Sequence, residues 1–182
     1  MHAVQVVPTG VERTFGEDEV IVSKTDPQGR LTYANDVFVR VSAYSESELL
    51  GRPHSIIRHP DMPRAVFQVL WDTILRGDEV FAYVLNLAAD GAAYWVLAHV
   101  TPSFGPDGQI VGHHSHRRWP QPSAVAAVQP LYRRLREAED AQPTARAAVA
   151  ASSALLHEHL ADTGCTYDEL VWRIIAESER EV

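Results

Sequence analysis

The sequence predicts an α+β fold, an antiparallel sheet whose short helices cover one face. Three observations predict it. Two β-rich segments flank a strong turn early in the chain, a run with apolar residues at helical spacing fills the middle, and three further β-rich segments follow. Strands first, helices between and strands last is the order of an α+β domain, not of alternating βαβ units.

The elements follow in order. Residues 1–18 are a leader of mixed composition without a clear period. From Glu19, Val20 and Val22 alternate with Ile21 and Ser23, the period of a strand. Asp26-Pro27-Gln28-Gly29 is turn chemistry: proline pre-sets φ and glycine permits φ > 0. Leu31-Thr32-Tyr33 resumes a strand. Asn35 or Asp36 caps a short helix, and Ser45 with Glu48 forms a capping box for another that Gly51 stops. In "RAVFQVLWDTILRG", Val66, Phe67, Leu70, Trp71, Ile74 and Leu75 make one apolar stripe, with Gly77 suited to the position after the helix. The strand candidates "VFAYVLNLA", "AYWVLAHVTPSF" and "QIVGHHSHRRW" are separated by Asp90-Gly91 and by Gly105-Pro106-Asp107-Gly108. Beyond Pro120 the composition turns to Ala, Arg and Glu. Two helices divided by Pro143 and a third opened by the Thr166–Glu169 capping box are expected there. The organisation is therefore a leader (1–18), a domain (19–120) and a helical extension (121–182). The extension is too short for a large core of its own. It must pack on the sheet, on itself or on a second subunit, and Leu155, Leu156 and Leu160 offer an apolar face for the last.

Composition narrows the function. The chain has 182 residues, of which 46% are hydrophobic, so one ordinary domain with an appendage can bury a core. With 24 acidic against 16 basic residues the formal net charge is −8, which disfavours a general nucleic-acid binder. One cysteine, Cys165, excludes an internal disulfide and a Cys-rich zinc site. No apolar run approaches the ~20 residues of a membrane span. The start lacks the basic-then-apolar order of a signal peptide, and a cytoplasmic setting is expected. No phosphate loop, nucleophile elbow or His-Glu-x-x-His metal motif occurs, so no enzyme activity is expected.

Arg58-His59-Pro60-Asp61-Met62-Pro63 stands just before the apolar helix. Its conformational reading has Asp61 capping the helix and the prolines stiffening the entry. That reading leaves Arg58 and His59 unexplained. Together with "LTYANDVFVRVSAYSESELLGRPHSIIRHPDMP", "FQVLWDTILRG", "DGAAYWVLAHVTP" and "VGHHSHRRWP", this motif makes residues 19–120 resemble a PAS domain. Within that superfamily the span is similar to the flavin-binding sensor domain of bacterial aerotaxis receptors.

The resemblance implies a five-stranded antiparallel sheet with FAD held non-covalently between sheet and helices. Its redox state there is reported to the chemotaxis machinery. Arg58 and His59, beside a helix N-terminus that favours anions, are then expected to face the pyrophosphate, with Asp61 as a cap or ribose acceptor. Two compatible readings of Asn35 stand: helix cap, or a side chain facing the cofactor. Trp71 is a core residue on the stripe that the family places beside the flavin. Where aerotaxis-type domains often carry a tryptophan near the first hairpin strand, this chain has Phe81. The light-sensing flavin branch carries a reactive cysteine in the segment matching "GRPHS". Here His54 stands at about that position, so no cysteinyl-flavin adduct is expected. His114 takes the place of that branch's flavin-contacting glutamine, where an imidazole can answer reduction by changing tautomer or charge. A haem sensor using His54, His59 or a last-strand histidine is the alternative. A cofactor-free interaction module is another. The expected partners are a chemoreceptor or kinase-type signalling protein and a second copy of the chain.

Overall fold

The computed structural model describes residues 6–180. The elements are β1 (Ile21–Thr25), β2 (Leu31–Ala34), α1 (Asp36–Ser42), α2 (Glu46–Leu49), α3 (Arg64–Leu75), β3 (Val80–Leu87), β4 (Ala93–Phe104), β5 (Ile110–Arg118), α4 (Pro122–Asp140), α5 (Ala145–Thr163) and α6 (Tyr167–Ser178). A one-turn 3₁₀ helix, His54–Ile57, lies between α2 and α3 and has no clear sequence signal. The strands form one antiparallel five-stranded sheet in the order β2-β1-β5-β4-β3. The expected α+β class and PAS architecture are therefore observed.

Local chemistry accounts for most boundaries. Asn35 caps α1, its Oδ1 accepting the Phe38 N–H at 3.0 Å. Both expected capping boxes are present, at α2 and at α6. The α3 stripe buries Val66 and Ile74 against the sheet, while Leu75 at its end is exposed. One boundary differs from expectation. Asp61 does not cap α3; the cap position is Pro63, and the Glu139 carboxylate from α4 accepts the Arg64 backbone N–H at 2.6 Å. A tertiary contact has supplied the cap that local sequence was expected to provide.

The described part of the leader is sewn to the domain. Thr9 N–H donates to Gly91 C=O at 2.9 Å and Arg13 N–H to Ala93 C=O at 2.7 Å, across the β3–β4 turn. Gly91 (φ +84°) admits this approach, since a Cβ there would stand 2.5 Å from the Val7 carbonyl oxygen.

The C-terminal helices grip the β3 edge of the sheet. The Tyr132 hydroxyl of α4 donates to the Tyr83 carbonyl of β3 at 2.7 Å. The α6 residue Trp172 packs on Phe81 with ring centroids 4.8 Å apart. On the other side, α5 lies against α3, and Leu156 is buried. The edge strand, which would otherwise offer unpaired backbone groups, is thus covered from within the chain. The expectation that Leu155, Leu156 and Leu160 offer a dimer face is not met at Leu156, which is buried in the protomer's own core, while Leu155 and Leu160 are half-buried against it.

Candidate ligand-binding site

Between the sheet and α3 lies a cavity of ≈ 390 Å³. This is within the ~300–1,000 Å³ typical of small-molecule sites. Its apolar walls are Val84, Ala98 and Val100 from the sheet and Ile57, Phe67, Leu70, Trp71 and Ile74 from the helical side. Val149 of α5 also reaches it.

The floor is polar because β5 alternates. His113, Ser115 and Arg117 point into the cavity, whereas His114, His116 and Arg118 belong to the opposite face. Arg117 is 2% exposed. Its Nε donates to Ser115 Oγ at 3.2 Å, an Nη2 donor meets Ser23 Oγ, and its guanidinium lies 4.5 Å from the Phe38 ring centre. No ion pair among the described residues includes it. Burial lowers its pKa to about 10, so it stays charged at neutral pH. An uncompensated buried cation is rare, because desolvation is not repaid by a counter-charge.

Among the described residues, three buried polar atoms of cavity residues have no hydrogen-bond partner: Arg117 Nη1, Asn86 Nδ2 and His113 Nε2. Each such atom costs ~1–3 kcal/mol if left unsatisfied, and a charged group costs more. The His113 Nδ1 lies 3.2 Å from Thr25 Oγ1, and its ring meets the Trp71 indole edge-on with centroids 5.5 Å apart. Gly29 (φ +76°) closes the β1–β2 turn over that indole, where an added Cβ would lie 2.9 Å from Trp71 Cη2. His54 also lines the cavity, with Nε2 3.3 Å from Ser23 Oγ. His54 keeps some exposed surface, yet the protein packed around its ring and the nearby Arg117 charge push its pKa down to about 3.

A second cavity of ≈ 810 Å³ adjoins the first, and Ser55, Arg58 and Arg64 line both. It carries Arg58, His59, Arg64 and Arg136. Arg58 is half-buried over the Phe67 ring, 4.2 Å from its centre, and donates weakly to the Met62 carbonyl at 3.4 Å. His59 is buried, and its Nδ1 accepts the Asp61 N–H at 3.1 Å. Burial lowers the His59 pKa, with Asp61 opposing.

Of the residues expected at the site, His54 and Trp71 line the first cavity, His59 the second and Arg58 both. Asp61 lines neither, and its side chain is 75% exposed. The expectation that Asn35 faces the cofactor is not met. Its Oδ1 accepts from Val22 N–H and Phe38 N–H and its Nδ2 donates to Val20 C=O, so the side chain ties β1 to α1. His114 is corrected as well: it sits on the outer face, edge-on to His116 at 4.3 Å, and His113 holds the inward position. Phe81 also points outward, stacked on His99 at 4.1 Å. Sequence reasoning passed over Asn86 and Arg117, together with Arg64, Arg136 and Glu139, and offered His113 only as one of the last-strand histidines that could hold haem. A period-two reading puts His113, Ser115 and Arg117 on one face of β5, but the sequence does not say which face turns inward.

The PAS fold matches residues 31–115 in sequence. Over 121 residues the chain is 42% identical to the aerotaxis receptor of Escherichia coli K12, covering 66% of this chain and 24% of that receptor. Over 91 residues it is 33% identical to the nitrogen fixation regulatory protein of Klebsiella pneumoniae, covering 50% of this chain and 18% of that protein. The chain therefore spans about a quarter or less of the length of these relatives. A light-oxygen-voltage domain studied through a flavin analogue shares the fold, with a TM-score of 0.55 at 20% identity over 60% of this chain and 84% of that one. An RNA-binding light-oxygen-voltage receptor gives a TM-score of 0.51 at 26% identity over 56% and 30%. With the PAS fold matched over residues 31–115 and the likeness to the aerotaxis receptor spanning 121 residues, the chain carries a PAS domain.

Proposed function

We propose that the chain is a cytoplasmic sensor that binds FAD and passes redox status to a signalling partner. The observation that carries the reading is the trio of buried groups left unpartnered among the described residues, Arg117 Nη1, Asn86 Nδ2 and His113 Nε2, in a cavity with apolar walls and a polar floor. An isoalloxazine ring matches such a lining. Its flanks are aromatic and suit Trp71 and Phe67, while one edge carries carbonyl oxygens and ring nitrogens for Arg117 and for the Asn86 amide. The second cavity favours a dinucleotide over a mononucleotide. Arg58, Arg64 and Arg136 supply guanidinium groups suited to a diphosphate, with volume left for a nucleoside.

A bound flavin supplies a redox change that alters the charge and hydrogen bonding of its ring. The chain's own residues are placed to answer it. Arg117 stabilises added negative charge in a site shielded from water. His113 can change tautomer or charge. Both are on β5, which runs through Pro120 into α4, so a rearrangement at the cavity floor has a direct route into the extension. The receiver is then a chemoreceptor or kinase-type protein, or a second copy of the chain, as the likeness to a receptor and a regulatory protein suggests.

The test is direct. Purified protein is expected to be yellow, to bleach with dithionite and to release FAD on acid treatment. Release of FMN would leave the first cavity assigned and the second not. A Soret band would replace flavin with haem. Colourless protein that takes up no added flavin would overturn the reading.

A further inference from the structure

Glu139 is a carboxylate in an unusual place. Its side chain is 1% exposed. It accepts the first backbone N–H of α3, from Arg64, at 2.6 Å and the Arg136 Nη1 donor at 2.7 Å, and it lies 3.9 Å from Arg64 Nε. Asp140 holds the other arm of Arg136 at 2.7 Å. The carboxylates that quench this arginine cluster therefore come from the last turn of α4, outside the PAS domain. Arg58, whose charge is disfavoured by burial and by Arg64 and Arg136 and favoured by Glu139, has no carboxylate within ion-pair distance among the described residues. The cluster faces the second cavity, the one assigned above to the cofactor's diphosphate.

Two anions on one set of guanidinium groups, shielded from water, repel each other. We propose that Glu139 is an internal competitor of the cofactor's diphosphate for Arg64 and Arg136. Cofactor loading loosens the end of α4, and a docked α4 weakens loading. By linkage the two effects are one coupling seen from its two ends. The device gives the extension a way to sense whether the site is filled, separate from any signal that leaves through β5. It rests on the flavin reading for the identity of the ligand, but not for the arginine cluster itself.

Affinities of the 182-residue apoprotein for FAD, riboflavin and inorganic pyrophosphate, in wild type and in Glu139→Gln, test it. The amide keeps an acceptor for the Arg64 N–H and nearly the same volume while removing the charge. FAD and pyrophosphate should bind roughly 5- to 50-fold more tightly to the variant. Riboflavin, which has no phosphate, should change less than about twofold on the same argument. In wild type, FAD should speed amide exchange in the last turn of α4. Equal factors for FAD and riboflavin, weaker FAD binding to the variant, or slower exchange in α4 would overturn the competition while leaving the flavin reading intact. If wild type binds neither flavin, that reading falls and pyrophosphate decides: a gain in Glu139→Gln keeps the competition for another diphosphate ligand, and no gain or no binding ends it. If the variant does not fold, the wild-type exchange measurement decides alone.

Discussion

At the scale of single residues, Arg117 is a conflict between stability and binding. Its guanidinium is buried with no carboxylate beside it among the described residues, held by two serine hydroxyls and the face of Phe38. In the absence of a ligand such a charge opposes folding, because desolvation outweighs two hydroxyl contacts. Arg117→Met should therefore raise the apoprotein's unfolding free energy by about 1–2 kcal/mol in urea. It should also weaken flavin retention at least roughly tenfold, the worth of a hydrogen bond to a charged group. A variant that loses stability and keeps its flavin would show that the cation is structural. The same substitution bears on acid sensitivity. Burial and the Arg117 charge depress the His54 pKa to about 3, below its ordinary value near 6.5. The folded state thus binds fewer protons than the unfolded chain between these values. Its stability is full above pH 6.5 and is lost as pH falls toward 3. Wild type should lose about 2 kcal/mol between pH 7 and pH 5 from this group, and the lowered pKa values of His59 and His113 act with the same sign. In Arg117→Met one of the two causes is gone, so the loss should be smaller and the His54 ring should titrate higher by NMR.

At the scale of elements, legibility followed the range of the forces that set each one. The α3 stripe, both capping boxes and the hairpin at Asp90-Gly91 depend on neighbours within a few residues, and all were readable from sequence. The face of β5 was not. His113, His114 and His116 share one chemistry, so polarity carries no period there, and only the sheet partners decide that His113 and Arg117 turn inward. The α3 cap was misplaced for a related reason. Asp61 is a good local candidate, but Glu139, far along the chain, reaches the helix end first. The grip on β3 is also long-range, and it rests largely on Tyr132. Its hydroxyl donates to the Tyr83 carbonyl and lies 3.3 Å from the Tyr167 hydroxyl. Tyr132→Phe keeps the packing against Trp95 and removes the hydrogen bond. The expected loss is about 1–2 kcal/mol, because the Tyr83 carbonyl is left without this donor. Amide exchange should quicken in β3 and in the first turns of α6, while α1 and α2 stay unchanged. Uniform quickening along the chain would instead mean that α4 is not the local support of this edge.

At the scale of the whole molecule, the question is whether the PAS domain and its helical extension fold as one unit. Composition changes abruptly at Pro120-Gln121-Pro122, yet the extension is too short for a large core of its own and is expected to pack elsewhere. The structure joins them at several places: Glu139 at the start of α3, Tyr132 at the β3 edge, Trp172 on Phe81 and Leu156 in the common core. Such contacts cross the boundary on both faces of the sheet, so the extension cannot leave without exposing core residues and an edge strand. Cooperative unfolding follows. Leu156→Ala tests it, because this side chain is 1% exposed and lies in the extension. Truncating a buried leucine costs about 2–5 kcal/mol. If the chain is one unit, helix signal in the far ultraviolet and the indole N–H resonance of Trp71 should shift to lower denaturant together, by the same free energy. If the extension is an independent appendage, the helix signal should fall early while Trp71, at the wall of the cavity, reports an unchanged domain. Coincident transitions would mean that the domain and its extension unfold as one cooperative unit.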